Sequence, residues 1–210
     1  MSAVNLATLG AGFGDIALGS QSVFRSVLSA FSYPGRSVAV VSDAEVPDIS
    51  RSASAAVLLA LLDAQTPLWL SAGLVNTGAA AWLRFHTGCT LVDSPEQAQF
   101  VWAAHLDELP DASQLCAGTD VNPEFSVTCI IDVASLSTLA QDHAWELTGP
   151  GIKDKAYLTI EAVAPSSRAR FLQQQQARQA LFPRGVDIVL ATAQGIVGLP
   201  RTTQISPSGA

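Results

Sequence analysis

The 210-residue chain carries a formal net charge of -7, and only 14% of its residues are charged, against about 25% in an average globular protein. Its length fits one domain, residues 1–210, and a surface this poor in charge is either extended by small neutral residues or covered by a partner. No run approaches the ~18 apolar residues of a membrane span, so no membrane association is expected.

The first basic residue is Arg25, which leaves no positively charged start for a secretory signal and predicts a cytoplasmic protein. Cys89, Cys116 and Cys129 are odd in number and far apart, the pattern of reduced thiols rather than of a disulfide or zinc framework. Charge is uneven along the chain: residues 1–150 hold 4 basic and 15 acidic side chains, and residues 151–210 hold 7 and 3. A basic segment on an acidic protein suits a phosphate-bearing ligand, an acidic subunit surface or a solvated helix face. The absence of a basic stripe, an aromatic RNA-binding signature and zinc-finger spacing argues against nucleic acid.

In chain order, glycines open the sequence, and residues 1–14 read as flexible. Val23, Phe24, Val27, Leu28 and Phe31 lie at the spacing of one helix face over residues 21–31, which Pro34 and Gly35 end. A strand over 36–41 follows, and Ser52 or Ser54 is placed to cap a buried helix ending near Asp63. Strands are predicted over 68–71, 90–92 and 100–103, with a helix over 78–86 and a helical turn over 95–98. Residues 127–133 are short, β-branched and almost continuously apolar, as expected of a central strand covered on both faces. Weaker strands over 145–148 and 157–163 flank the turn of Gly149, Pro150 and Gly151, and a polar helix runs from Ser167 to about Leu181. Strands over 186–192 and 196–199, joined by Ala193, Gln194 and Gly195, form a hairpin; residues 206–210 read as a frayed tail. Alternating strands and helices predict a three-layer α/β/α domain with a mixed sheet.

The chemistry is sparse. Gly10, Gly12 and Gly14, followed by Asp15, lack the strand and offsets of a dinucleotide fingerprint. His86, His105 and His143 sit on separate elements without metal or triad spacing, so no metal and no catalytic residue is assigned. Lys153 and Lys155 are the only lysines and occupy a polar turn, which argues against a pyridoxal phosphate Schiff base and leaves the chain without an assigned cofactor. Gly149 and Gly151, with Lys153 nearby, offer backbone N–H groups to an anion or simply form a tight turn. Arg184 opens one strand of the hairpin, and Arg201, before Thr202 and Thr203, follows the other. The two guanidiniums either meet an anion or a subunit there, or Arg184 pairs with Asp187 and pins the turn.

Gln21, Phe24, Arg25, Leu28, Ala30, Ser32, Pro34 and Gly35, then Leu-Arg-Phe-His-Thr (83–87), Leu-Thr-Gly-Pro-Gly-Ile (147–152), Phe-Pro-Arg-Gly-Val-Asp (182–187) and Leu-Pro-Arg-Thr-Thr (199–203) run in order along the chain. Together they resemble the PhnH family, the H subunit of the bacterial carbon-phosphorus lyase system. The resemblance implies a fold like the large domain of pyridoxal phosphate transferases without the cofactor, and a homodimer when isolated. It also implies a core complex with the G, I and J subunits that degrades alkylphosphonates. There the G, H, I and L subunits exchange the adenine of ATP for an alkylphosphonate, giving ribose 1-alkylphosphonate 5-triphosphate. The nucleosidase-like site of that pathway belongs to the I subunit and the radical cleavage to the J subunit. The expected role is therefore structural or allosteric. The rivals are a subunit lending phosphate-binding arginines to a shared site and an independent pyridoxal phosphate or nucleotide enzyme.

Overall fold

The computed structural model describes residues 9–208. Helix α1, Ile16–Ser32, is capped by Asp15, whose carboxylate accepts the Leu18 N–H at 3.0 Å. It buries Val23, Val27 and Ala30, an i, i+4, i+7 stripe. Phe24 and Leu28, expected on the same buried face, are 44% and 50% exposed; the stripe that meets the sheet is narrower than the apolar face of the helix. Residues 9–14, read from composition as flexible, lie against the body. Glu45 N donates to Ala11 O, Ala11 N to the Glu45 carboxylate, and Trp82 Nε1 to Gly10 O at 2.9 Å.

The strand expected over 36–41 shortens to β1, Val38–Ala39. Helix α2, Ser52–Leu61, is apolar all round and is buried through most of its length. The expected serine caps do not form. Ser52 Oγ donates back to Ile49 O and Ser54 Oγ to Arg51 O, both at 3.0 Å. The capping carboxylate is Asp48, which accepts the Ser50 N–H at 3.0 Å and starts a 3-10 turn, Ile49–Arg51, that runs into α2. Then come β2 (Pro67–Leu70), α3 (Ala72–Val75), α4 (Gly78–Thr87), β3 (Thr90–Leu91), β4 (Phe100–Ala103) and β5 (Thr128–Asp132). They are followed by β6 (Leu136–Ser137), β7 (Trp145–Thr148), β8 (Ala156–Ile160), α5 (Pro165–Gln179), β9 (Asp187–Ala191), β10 (Gly195–Leu199) and β11 (Gln204–Pro207).

Seven strands form a mixed sheet in the order β1-β10-β9-β5-β4-β2-β3. Pairing is parallel from β9 through β5, β4 and β2 to β3, while β10 pairs antiparallel both with β9 and with the edge strand β1. The β9–β10 hairpin is present, with Ala191 opposite Ile196 and Ile188 opposite Leu199. Alternation along the central strands divides the core in two. Ile130, Val189 and Ile196 face the helices α1, α2 and α4, while Cys129, Ile131, Ile188, Leu190 and Val197 face the other way.

That second face is not a plain helical layer. A four-stranded antiparallel sheet, β11-β7-β8-β6, covers it through Leu147, Leu158, Ile160 and Ile205, and α5 adds Phe171. The protein is thus α/β with a mixed sheet, as expected, but its outer layer there combines a sheet with a helix. Fully burying each such side chain contributes about 1.5–3 kcal/mol. Ser206 and Pro207, expected to fray, pair in β11 with Glu146 and Trp145. Residues 1–8 and 209–210 of the expected flexible ends lie outside the described residues.

Candidate functional site

Three stretches distant in sequence meet at the end of the β9–β10 hairpin: the end of α1, the β7–β8 turn and the segment after β10. They wall a cleft of about 470 Å³ lined by Ser32, Thr128, Gly151, Asp187, Pro200 and Thr202, among others. The turn is built for close approach. Gly149 and Gly151 have φ of 134° and 82°, values that L side chains rarely adopt. A Cβ on Gly149 would stand 2.9 Å from Thr202 O, and one on Gly151 would overlap Ser32 O. Gln179 Nε2 of α5 donates to Thr203 O at 3.2 Å, and Thr203 is buried with no hydrogen-bond partner for its hydroxyl among the described residues.

The two arginines of the hairpin diverge. Arg201 follows β10 and turns back on Asp187, the first residue of β9. Its backbone N–H and Nε reach Oδ1 at 2.8 and 3.3 Å, and Nη2 reaches Oδ2 at 2.5 Å. Nη1 donates to Pro123 O at 2.6 Å and Nη2 to Ser126 Oγ at 2.5 Å. All three guanidinium nitrogens are therefore engaged. Arg184 does not pair with Asp187; its Nε lies 3.0 Å from Asp120 Oδ1, without the alignment of a hydrogen bond. Of the candidate residues, Gly149, Gly151, Asp187, Arg201, Thr202 and Thr203 come together, whereas Arg184 does not line the cleft and meets Asp120 instead.

The histidines stay apart. His86 packs edge-on to Trp82 and its Nε2 meets Gly10 O at 3.0 Å, while His105 and His143 belong to other cavities. Among the described residues no three His, Cys, Asp or Glu side chains are grouped to hold a metal ion. Lys155 Nζ pairs with Glu146 at 2.8 Å, and that carboxylate raises its pKa. The three cysteines are free; Cys89 and Cys129 are buried and Cys116 is half-buried. Burial pushes the Cys129 thiol up to about 12, which removes it as a nucleophile. No described helix is long and apolar enough to cross a membrane.

One polar cluster is marked by no motif in the sequence. At the carboxyl ends of β4 and β5, Asp132 accepts hydrogen bonds from Arg51 and from Trp102 Nε1, the latter at 3.1 Å. Asp132 and Arg51 border a cavity of about 210 Å³ with His105 and Ala193. Burial pushes the Asp132 carboxyl above the ordinary carboxylate value, against the pull of Ser54, Arg51 and Trp102. The one signal for it in the sequence is an acidic residue closing the apolar run of β5.

The mixed sheet, its sheet-and-helix cover and a cleft braced by a closed ion pair define an α/β protein that presents shaped surfaces. The chain belongs to the PhnH family: the family described as bacterial phosphonate metabolism protein (PhnH) matches residues 11–206. It is 33% identical over 193 residues to the alpha-D-ribose 1-methylphosphonate 5-triphosphate synthase subunit PhnH of Rhizobium meliloti (strain 1021), covering 92% of this chain and 93% of that protein. It is also 32% identical over 190 residues to the putative C-P lyase subunit protein HtxG of Stutzerimonas stutzeri, covering 90% of this chain and 87% of the relative.

Proposed function

We propose that the chain is a single-domain subunit of a carbon-phosphorus lyase assembly in phosphonate catabolism, working through its surfaces rather than through an active site of its own. The named relatives are subunits of a ribose 1-methylphosphonate 5-triphosphate synthase and of a C-P lyase, matched over nine-tenths of this chain. The observation that carries the structural reading is Arg201. One of the two arginines that the sequence offers to a phosphate already holds Asp187, Pro123 and Ser126 and so braces the cleft wall. The rival, in which Arg184 and Arg201 bind phosphate in a shared active site, requires Arg201 to leave those partners. Arg184, in an exposed pair, is released at little cost.

In this reading the protein is cytoplasmic and carries no cofactor. The parallel β2-β4-β5-β9 core supports the likeness to the large domain of pyridoxal phosphate transferases. It forms a homodimer when isolated and meets the G, I and J subunits in the assembly. The exposed apolar side chains of Phe24, Leu28 and Tyr33 at α1 support a covered face, and Gly149, Gly151, Thr202 and Thr203 give the cleft its backbone rim. Co-expression with the other subunits tests this. The chain is expected to co-purify with them and to be required for synthesis of the ribose phosphonate triphosphate, while the purified chain alone turns over none. Sustained turnover by the isolated chain, or failure to join the complex, overturns the reading.

A further inference from the structure

A second cavity, of about 350 Å³, lies where the start of α5 passes the edge of the smaller sheet. Its walls are mainly apolar, with Trp145, Val163, Pro165, Leu172 and Pro207 prominent. Trp145 is held flat by stacking on Phe171, with ring centroids 5.0 Å apart and planes 12° from parallel. The volume falls in the range of small-molecule sites, about 300–1,000 Å³, and such sites pair apolar walls with a few fixed polar groups.

The fixed group is Arg168. Its Nη1 donates to His143 O at 3.4 Å and its Nη2 to Ile160 O. Both acceptors are neutral carbonyls, which hold the guanidinium in place without cancelling its charge. Among the described residues no carboxylate lies within ion-pair distance of Arg168, its Nε is buried without a hydrogen-bond partner, and no acidic side chain lines the cavity. This is the reverse of Arg201, whose charge is closed by Asp187. Two non-glycine residues also adopt left-handed backbone here, His143 at φ 63° on the wall and Ala162 at φ 57° beside Val163. Backbone held in such conformations gathers at binding sites.

A positioned cation with no carboxylate partner among the described residues, set in an apolar cavity, is complementary to one kind of molecule. We propose that this cavity binds a small organic anion, a carboxylate or a phosphoryl group carrying a short apolar substituent. Arg168 meets the anion and Trp145 and Leu172 meet the substituent. Charge-assisted hydrogen bonds to a preset guanidinium supply selectivity for the anion, and the apolar walls reject inorganic ions, which are better solvated in water.

Calorimetric titration of the full chain tests the assignment, with benzoate and phenyl phosphate as anions, benzyl alcohol as an uncharged control and inorganic phosphate as an apolar-free control. At least one of the two aromatic anions is expected to bind about 10-fold or more tighter than both controls, and their order tells carboxylate from phosphoryl preference. Ala169→Trp, at an exposed helix position on the cavity rim, is expected to block binding while leaving the ligand-free melting temperature unchanged. Arg168→Gln is expected to abolish the preference for anion over alcohol. The proposal is overturned if neither anion binds at millimolar concentration, if a control binds as tightly as both anions, or if Ala169→Trp binds as the parent does.

Discussion

Arg201 and Asp187 face each other across the open end of the β9–β10 hairpin, with the guanidinium touching both carboxylate oxygens and the Arg201 backbone N–H completing the clasp. Both side chains are largely buried, at 18% and 22% exposure, and the same guanidinium ties down Pro123 and Ser126. Arg201→Ala therefore leaves a mostly buried carboxylate unpaired and frees the loop before β5. The expected loss is about 3 kcal/mol, at the lower end for a broken buried pair. Arg184→Ala, in an exposed pair with Asp120, should change stability by no more than about 1 kcal/mol. Urea denaturation of both variants checks this, and equal midpoints would show the clasp to be unimportant.

The β7–β8 turn gives a second test. Gly151 has a left-handed φ, and an added Cβ overlaps the Ser32 carbonyl at the end of α1. Gly151→Ala is expected to cost at least about 2 kcal/mol, from strain and forced displacement of backbone together. Because the turn and α1 both wall the cleft, assembly with the other subunits should weaken along with stability. A variant of parental stability would mean that the turn relaxes without strain.

The central strands were legible because burial on both faces leaves an apolar run with no helical period, as in Cys129, Ile130 and Ile131. Strand β11 was not, since Gln204 and Ser206 are polar and Pro207 reads as a breaker; Pro207 fits because it ends an edge strand. The partner of Asp187, for which the sequence offered Arg184 as one alternative, was not legible for a related reason. Arg184 is three residues away and Arg201 fourteen, and only the hairpin register, with Ile188 opposite Leu199, brings Arg201 back to the start of β9. Asp48 was missed as a cap because its 3-10 turn separates it from the apolar period of α2.

The buried residues of α5 carry another expectation. Arg178 is 5% exposed, its Nε and Nη1 have no hydrogen-bond partner among the described residues, and burial lowers its pKa. A guanidinium so placed opposes folding unless it is neutralised. Arg178→Met keeps an unbranched stem of about the length of the arginine's aliphatic part and removes the guanidinium, and is expected to stabilise the protein by about 1–2 kcal/mol. Destabilisation in the same urea titration would show that Arg178 is matched by an acidic partner.

Thiol reactivity should separate the cysteines. Cys129 is buried with its thiol pushed up to about 12, Cys89 is buried, and Cys116 is half-buried with its Sγ 3.4 Å from Phe125 O. Only a thiolate attacks the usual reagents. Native protein at pH 8 is expected to label at Cys116 alone, and all three should label in denaturant, as read by mass spectrometry of peptides. Native labelling of Cys129 would contradict its burial at the centre of the sheet.

The last prediction concerns Asp132, whose carboxyl is held above its ordinary pKa by burial between β5, α2 and Trp102. A raised folded pKa means that the folded state binds the proton more tightly than the unfolded state does. The stability from this group is fully present below the unfolded pKa and is lost as pH rises toward the folded one. Asp48 and Asp63 act in the opposite sense. Hydrogen bonds from the Ser50 side chain and from the Thr66 side chain hold them below the ordinary value, so their contribution is lost as pH falls. The two effects overlap in the parent protein, and Asp132→Asn separates them. The variant keeps one acceptor oxygen, which Arg51 and Trp102 can share as they share Oδ2 of Asp132, and does not titrate. The stability of the parent relative to Asp132→Asn is expected to fall from the ordinary carboxylate pKa upward and to level off above the raised one. Urea denaturation of both proteins between pH 3.5 and 8, roughly one carboxylate titration range with margin, reads that difference. A difference that rises with pH would mean that the Arg51 pair outweighs burial and that Asp132 ionises more readily than an exposed aspartate.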